Sequence, residues 1–273
     1  MKINLRVKLT LSFILIVLLT GGLSIIIGFN LILDKLVGQA QNTVLSHINT
    51  SQLIYADDIN FLNLQVNRIS VSEEFMEAFL SSDRDRLQAL ISSRREELGL
   101  DILNVTNVNG RILVRGRNPD LYGDSVIGDA YIKKTLQERQ SFSGSGIVLQ
   151  TYLQKEGTDL GQRAIIQIVE TPRSRKEKRV IEDRGLMQVA TSPIIQEGKL
   201  VGVVYGANLI NNNFEFVDRV QRLVYENENY SSADAGNVTV FLDDVRVSTN
   251  VRDRNSTRLN SSHVSQVRMP SSG

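Results

Sequence analysis

Residues Leu9 to Leu33 (LTLSFILIVLLTGGLSIIIGFNLIL) form 25 consecutive positions without an ionisable side chain, bounded by Lys8 and Asp34. At ~1.5 Å of rise per residue that stretch makes about 37 Å of helix, enough to cross a hydrocarbon core of about 30 Å with some tilt. Lys2, Arg6 and Lys8 precede it, whereas after Lys35 no Lys or Arg occurs until Arg68. This asymmetry places residues 1–8 in the cytoplasm, 9–33 in the membrane and the rest outside. A cleaved secretory signal is the alternative, but its apolar region spans only about 7–15 residues and ends at a small-residue cleavage site. Either alternative exports the remainder.

The pattern changes at residue 34. Val44, Ile48, Tyr55, Ile59, Leu62, Val66 and Ile69 follow one another at steps of 4, 7, 4, 3, 4 and 3, the narrow seam of a long helix. Residues 34–98 are therefore expected to form a helical stalk. The seam would pair with a second copy of the chain, pack on the chain's own domain, or do each at a different height. Ser70-Val-Ser-Glu73 has the pattern of a capping box and suggests a break, Ser82-Asp83 another start, and Gly99 a stop.

Beyond Gly99 the period shortens to two. Asp101–Asn107 alternates Ile102, Asn104 and Thr106 against Leu103 and Val105, and Asn109-Gly110 turns it into Arg111–Arg115. A short helix is expected over Asp129–Arg139, then strands over Gly146–Leu153, Arg163–Glu170, Leu186–Ile195 and Leu200–Leu209, the last two joined through Gln196–Lys199. Thr171–Gly185 is highly ionic and reads as a solvated loop; acidic Glu177, Glu182 and Asp183 among the basic residues argue against an anion-docking patch. Asn212–Tyr225 returns to helical period, with Phe216, Val220 and Leu223 on one face, and Asn237–Leu242 with Val245–Asn250 forms a last hairpin about Asp243-Asp244. The expected class is α+β, with the strand order of a PAS-like antiparallel sheet and helices over one face.

Composition narrows the function. The 31 Lys+Arg balance 30 Asp+Glu, so no general attraction to nucleic acid follows. With no Cys there is neither a disulfide framework nor a thiolate nucleophile or metal site. His47 and His263 stand without a catalytic or metal-binding constellation, and Gly144-Ser-Gly146 lacks the spacing of a phosphate loop. An exported hydrolase tethered by its helix would need a nucleophile with a base, or clustered carboxylates and histidines, and is disfavoured. No cofactor is expected, and the chain is read as non-enzymatic.

Three strings, GLDILNVTNVNGRILVRGRNPDLYGDS (Gly99–Ser125), SPIIQEGKLVGVVYGANLINN (Ser192–Asn212) and GNVTVFLDDVRVSTNV (Gly236–Val251), resemble the extracytoplasmic Cache modules of bacterial receptors. The resemblance is closest to the tandem arrangement of sensor histidine kinases and chemoreceptors. It implies a membrane-distal module over 99–226 and the first hairpin of a second, membrane-proximal module over 227–254. In the family the second module is then completed, and a second membrane helix leads to an output domain. Here Asn255–Gly273 (NSTRLNSSHVSQVRMPSSG) is Ser-rich and aperiodic, and is expected to be a disordered, read-through-like tail on a truncated receptor.

The family's pocket lies between the sheet and the loops and short helix after the first hairpin. On this chain that position holds Arg115, Arg117, Asp120 and Tyr122, with Tyr131, Tyr152 and Tyr205. An arginine would fork onto a carboxylate, an aspartate would receive an ammonium, and the tyrosines would wall the pocket. Each also has a plainer role as surface charge or core aromatic. The family's Arg-Trp-Tyr amino-acid signature is absent, and the chain has no Trp. The resemblance thus implies the sensing half of a histidine kinase or, alternatively, a chemotaxis receptor in the bacterial inner membrane. Its partners would be a small molecule, the lipid bilayer and a second copy through the stalk. Binding would shift the sheet against the long helix.

Overall fold

The computed structural model describes residues 5–168, 180–225 and 236–251. The described residues fall into two units, one up to Gln52 and one from Leu53 onward. Helix α1 (Leu5–Val71) runs through both. In the first unit its large apolar side chains are exposed, Phe13 at 70 % and Ile25 at 73 %, and by length and apolarity this part is a candidate membrane span. Val44 and Ile48 of the expected seam are exposed as well.

The second unit is built on an antiparallel sheet of order β2-β1-β7-β6-β3. Its strands are β1 (Ile102–Asn107), β2 (Ile112–Arg115), β3 (Phe142–Leu149), β6 (Arg184–Gln196) and β7 (Lys199–Leu209). The short pair β4 (Ile166–Gln167) and β5 (Ile181–Glu182) stands apart. The β6–β7 turn uses Glu197 and Gly198 with φ of 49° and 76°, the left-handed pair that a two-residue hairpin demands. Asn107 supports the β1–β2 turn by accepting the backbone N–H of Asn109 and Arg111 on its side-chain oxygen.

Helices cover both faces of this sheet, not one. On the first face lie the end of α1, α2 (Glu73–Leu80) and α3 (Arg84–Glu97); Leu62, Val66, Ile69, Phe75 and Ile91 are buried there against Leu103, Val105, Ala190 and Val204. The lower part of the seam is therefore occupied by the chain's own sheet. Gly206 makes this approach possible, because a Cβ on it would stand 2.5 Å from the Val66 Cγ2. The capping residues are Ser72 and Asp83, so the first break falls two residues after the expected Ser70. Ser70 instead joins a polar contact with β6, its hydroxyl 2.8 Å from that of Ser192.

The second face carries α4 (Ala130–Glu138), α5 (Gln150–Glu156) and α6 (Thr158–Ala164), packed on Ile102, Met187, Val189, Ala207 and Leu209. Two expected strands are corrected here. Gln150–Leu153 is helical: the β3–β6 pairing ends at Leu149 and Arg184, and the turn into α5 buries Leu153 and Glu156. Arg163 and Ala164 close α6, and only Ile166 and Gln167 pair as a strand; Val169 and Glu170 lie outside the described residues.

Thr171–Arg179 of the expected ionic loop is also outside them. Its described end is structured, with Glu182 buried and bonded through its carboxylate to Arg184, which reaches Asp243 at 2.8 Å. Helix α7 (Phe214–Tyr225) buries Phe216, Val217 and Val220, while Leu223, expected on the same face, is exposed at the C-terminal end of the helix. The hairpin β8 (Thr239–Leu242) and β9 (Val245–Thr249) packs Leu242, Val245 and Val247 on Ile166 and Ile168. The expected tail 255–273 lies outside the described residues.

Candidate functional site

On the face under α4–α6 the core is interrupted by a buried polar group. Arg115 ends β2 with no exposed surface. Its Nη1 and Nη2 donate to the two carboxylate oxygens of Asp124 at 2.7 and 2.9 Å, Nη1 also to the Leu121 carbonyl at 2.7 Å, and Nε to Glu156 Oε1 at 2.9 Å. This is the fork geometry that makes an arginine–carboxylate pair strong. Lys155 reaches Asp124 from outside at 3.2 Å, and Asn104 Nδ2 donates to Glu156 Oε1 at 2.9 Å.

The electrostatics follow from burial and pairing. Burial opposes the charge on Arg115, but its two carboxylate partners outweigh it and hold the pKa above the ordinary range. The hydrogen bond from Arg115 lowers Asp124 to about 2. Glu156 goes the other way: burial pushes its pKa up despite Arg115 and Asn104.

The aromatic part adjoins this network. Tyr205 stands opposite Asn104 in the β1–β7 register, and Tyr152 lies one turn before Glu156 on α5. Tyr131 on α4 donates its hydroxyl to the Ser145 carbonyl at 2.9 Å. Asp129 caps α4 by accepting from the N–H of Tyr131 and Ile132, and burial raises its pKa. Burial first, and neighbouring charge from Glu156 and Asp129 besides, raise the pKa of Tyr152 and Tyr205.

Two buried oxygens in this cluster make no hydrogen bond, Asn104 Oδ1 and Glu156 Oε2, while the hydroxyls of Tyr152 and Tyr205 face each other. Leaving such a group unsatisfied costs roughly 1–3 kcal/mol. An amide oxygen and a carboxylate oxygen both accept, so together they match a ligand that brings hydrogen-bond donors.

Of the residues expected from the sequence, the structure brings together Arg115, Tyr152 and Tyr205; Tyr131 packs on the same core but reaches Ser145 of β3, at the sheet edge opposite β2. The structure does not bring Arg117, Asp120 or Tyr122 into the cluster. Arg117 pairs with Asp159 at the start of α6, Asp120 is exposed, and Tyr122 is exposed under the Arg84 guanidinium of α3, 3.8 Å from its ring centre. The fork of Arg115, expected to meet a ligand carboxylate, is filled by Asp124. Sequence reasoning missed Asn104, Asp124, Asp129 and Glu156. Asn104 carried a signal, a polar side chain at an inward position of an alternating strand, and Asp129 another as a helix cap. Asp124 and Glu156 carried none, being 9 and 41 residues from the arginine they neutralise.

Comparison with known proteins agrees with this architecture. Residues 60–225, more than half of the chain, match the family model described as the double sensory domain of two-component sensor kinase. Residues 208–270 match that of single cache domain 3. Among solved structures, the chain is similar to the periplasmic domain of Vibrio cholerae LuxQ, with 19 % identity, 80 % of this chain and 83 % of that one covered, and a TM-score of 0.47. It is also similar to the sensor domain of the V. cholerae histidine kinase DctB (13 % identity, 79 % and 68 % covered, TM-score 0.46). A third similar structure is the sensory domain of the Campylobacter jejuni chemoreceptor Tlp3 with isoleucine bound (11 % identity, 81 % and 72 % covered, TM-score 0.43). No curated protein sequence matches. With the family model running from the end of α1 through the sheet to α7, the chain belongs to the double Cache sensory domains.

Proposed function

We propose that this chain is the ligand-sensing input region of a bacterial sensor histidine kinase, set in the inner membrane with its N-terminus in the cytoplasm. Extracytoplasmic sensing is the role of its family; the kinase output rests on the family's description, and the orientation on Lys2, Arg6 and Lys8 before the apolar span. Pairing with a second copy would use α1 around Val44 and Ile48, the part of the seam that stays exposed.

The observation that carries ligand sensing is the pair of unpartnered buried oxygens, Asn104 Oδ1 and Glu156 Oε2, beside a neutralised arginine. Because Arg115 is already bound to carboxylates, the cluster favours a small molecule with an ammonium or hydroxyl donor over an organic acid. Such a ligand would bridge β1 and α5 and shift their packing by its differential affinity for two states.

The test is thermal unfolding of the full chain in lipid nanodiscs with putrescine, ethanolamine, alanine or succinate added. An amine present at a hundredfold excess over its Kd should stabilise the fold by about 2.7 kcal/mol, and Glu156→Gln should abolish the effect. Absence of a response to every compound would sink ligand sensing at this cluster, and a response to succinate alone would sink the choice of ligand.

A further inference from the structure

The face of the sheet under α1, α2 and α3 contains a second polar region, on the side of the sheet away from Arg115 and Glu156. Along β6 this face presents Ile194, Ser192, Ala190 and then Gln188, and along β7 Val204, Gly206 and then Asn208. Gln188 is in register with Asn208 on one side and Ser145 on the other. The apolar floor under Leu62 and Val66 therefore gives way to a row of polar side chains. Over that row lies a cleft of about 350 Å³, with Phe61 and Leu62 of α1 on one wall and Phe216 and Glu215 of α7 on another. Its volume is within the roughly 300–1,000 Å³ of small-molecule sites.

The polar groups of the cleft are oriented by the fold. Asn208 uses its Oδ1 to accept the Asp101 N–H at 3.0 Å, and Asn213 uses its Oδ1 to accept the Phe216 N–H at 3.0 Å. In both, the backbone donor fixes which end of the amide is oxygen and leaves Nδ2 as the remaining donor. Gln188 is 4 % exposed, and its buried Nε2 has no hydrogen-bond partner. Asp58 and Arg219, which also line the cleft, are paired with each other. Glu215 is exposed and acts as an acceptor.

A ligand for this cleft needs acceptors for three amide nitrogens, a donor for a carboxylate, and an apolar surface for Phe61 and Phe216. It needs no net charge, because the cation present is already paired. Hydroxyl groups both donate and accept, and a hydroxylated ring keeps an apolar C–H face. We propose that the cleft between α1, α7 and the sheet binds a monosaccharide or similar cyclic polyol. The site lies on the opposite sheet face from the Arg115 cluster and involves the stalk helix directly. Its occupancy would bias the packing of α7 on α1.

The chain contains no Trp, so Phe61→Trp would place a single fluorescent reporter on the cleft wall while keeping an aromatic surface. The full chain carrying it, in lipid nanodiscs free of sugar-based detergent, would be titrated with glucose, galactose, ribose and inositol, and with succinate and putrescine for comparison. At least one of the polyols should give a saturable change in emission at micromolar to millimolar concentration, and Gln188→Met should weaken it by about tenfold or more. Hydrogen exchange on the wild-type chain should show protection by the same polyol at Leu98–Leu100 and in α7, which keeps the test valid if the reporter perturbs folding. The proposal is overturned if no polyol produces either signal, if Gln188→Met leaves the response unchanged, or if succinate or putrescine competes as well as the polyols.

Discussion

Asp124 and Glu156 share one arginine and respond to it in opposite ways. Asp124 is partly exposed and doubly bonded by Arg115, so its charged form is stabilised and its pKa falls to about 2. Glu156 is fully buried, so desolvation prevails and its pKa rises. The sign of each contribution follows. A carboxylate depressed from about 3.9 adds stability above that value and loses it as the pH falls toward 2. For Glu156 the folded state favours the proton, so stability is lost as the pH rises past its unfolded value of about 4.3. Asp124→Asn should therefore destabilise the fold by about 1.5–3 kcal/mol at neutral pH, the worth of hydrogen bonds to charged groups. It should also flatten the fall in stability between about pH 4 and pH 2, read by urea unfolding at several pH values. An unchanged acid slope would mean that Arg115 does not depend on Asp124. Arg115 itself was legible in the sequence as a cation ending a strand. That it is a buried, neutralised cation was not, because no spacing rule links it to two carboxylates on separate elements.

At the scale of elements, alternation was the strongest signal. Ile102, Asn104 and Thr106 against Leu103 and Val105, and the β6–β7 meander, appear in the structure with the expected faces, because a strand's period of two is imposed by its pleat. Helices as short as α5 and α6 escaped, since seven residues offer barely two turns of periodicity. The seam of α1 was visible, but not which surface it meets: three-four spacing suits a second helix and a sheet equally. Gly206 decides it over Leu62–Ile69, and only the folded sheet brings position 206 beneath position 66. Gly206→Ala would force Val66, a β-branched side chain with few rotamers, to move. The expected loss is about 1–3 kcal/mol, seen as a lower urea midpoint with an unchanged m-value. A neutral effect would show that α1 packs more loosely on β7 than the geometry requires.

Across the whole molecule, the folded unit and the apolar helix make separate demands on the same chain. The sheet needs water on its outer helices, and the 25 residues from Leu9 to Leu33 are a candidate membrane span, apolar and exposed within their own unit. Which end of the span stays inside depends on charge near the membrane. Lys2, Arg6 and Lys8 act within the 15–20 residues that count, and Lys35 is the only opposing cation until Arg68. The three-to-one bias should place Gln52 outside. Alkaline phosphatase fused after Gln52 should be active in a bacterial host, and a fluorescent protein that folds only in the cytoplasm should be dark at the same junction. Replacing Lys2, Arg6 and Lys8 with Glu removes the inward bias while leaving the apolar run intact, so the phosphatase signal should fall as part of the population inverts. If it does not fall, the folded unit and not the flanking charge sets the orientation, because large domains translocate with little regard to nearby cations. Size exclusion in detergent after carbonate extraction distinguishes the remaining case, in which cleavage after the span frees residues beyond Leu33 as a soluble product.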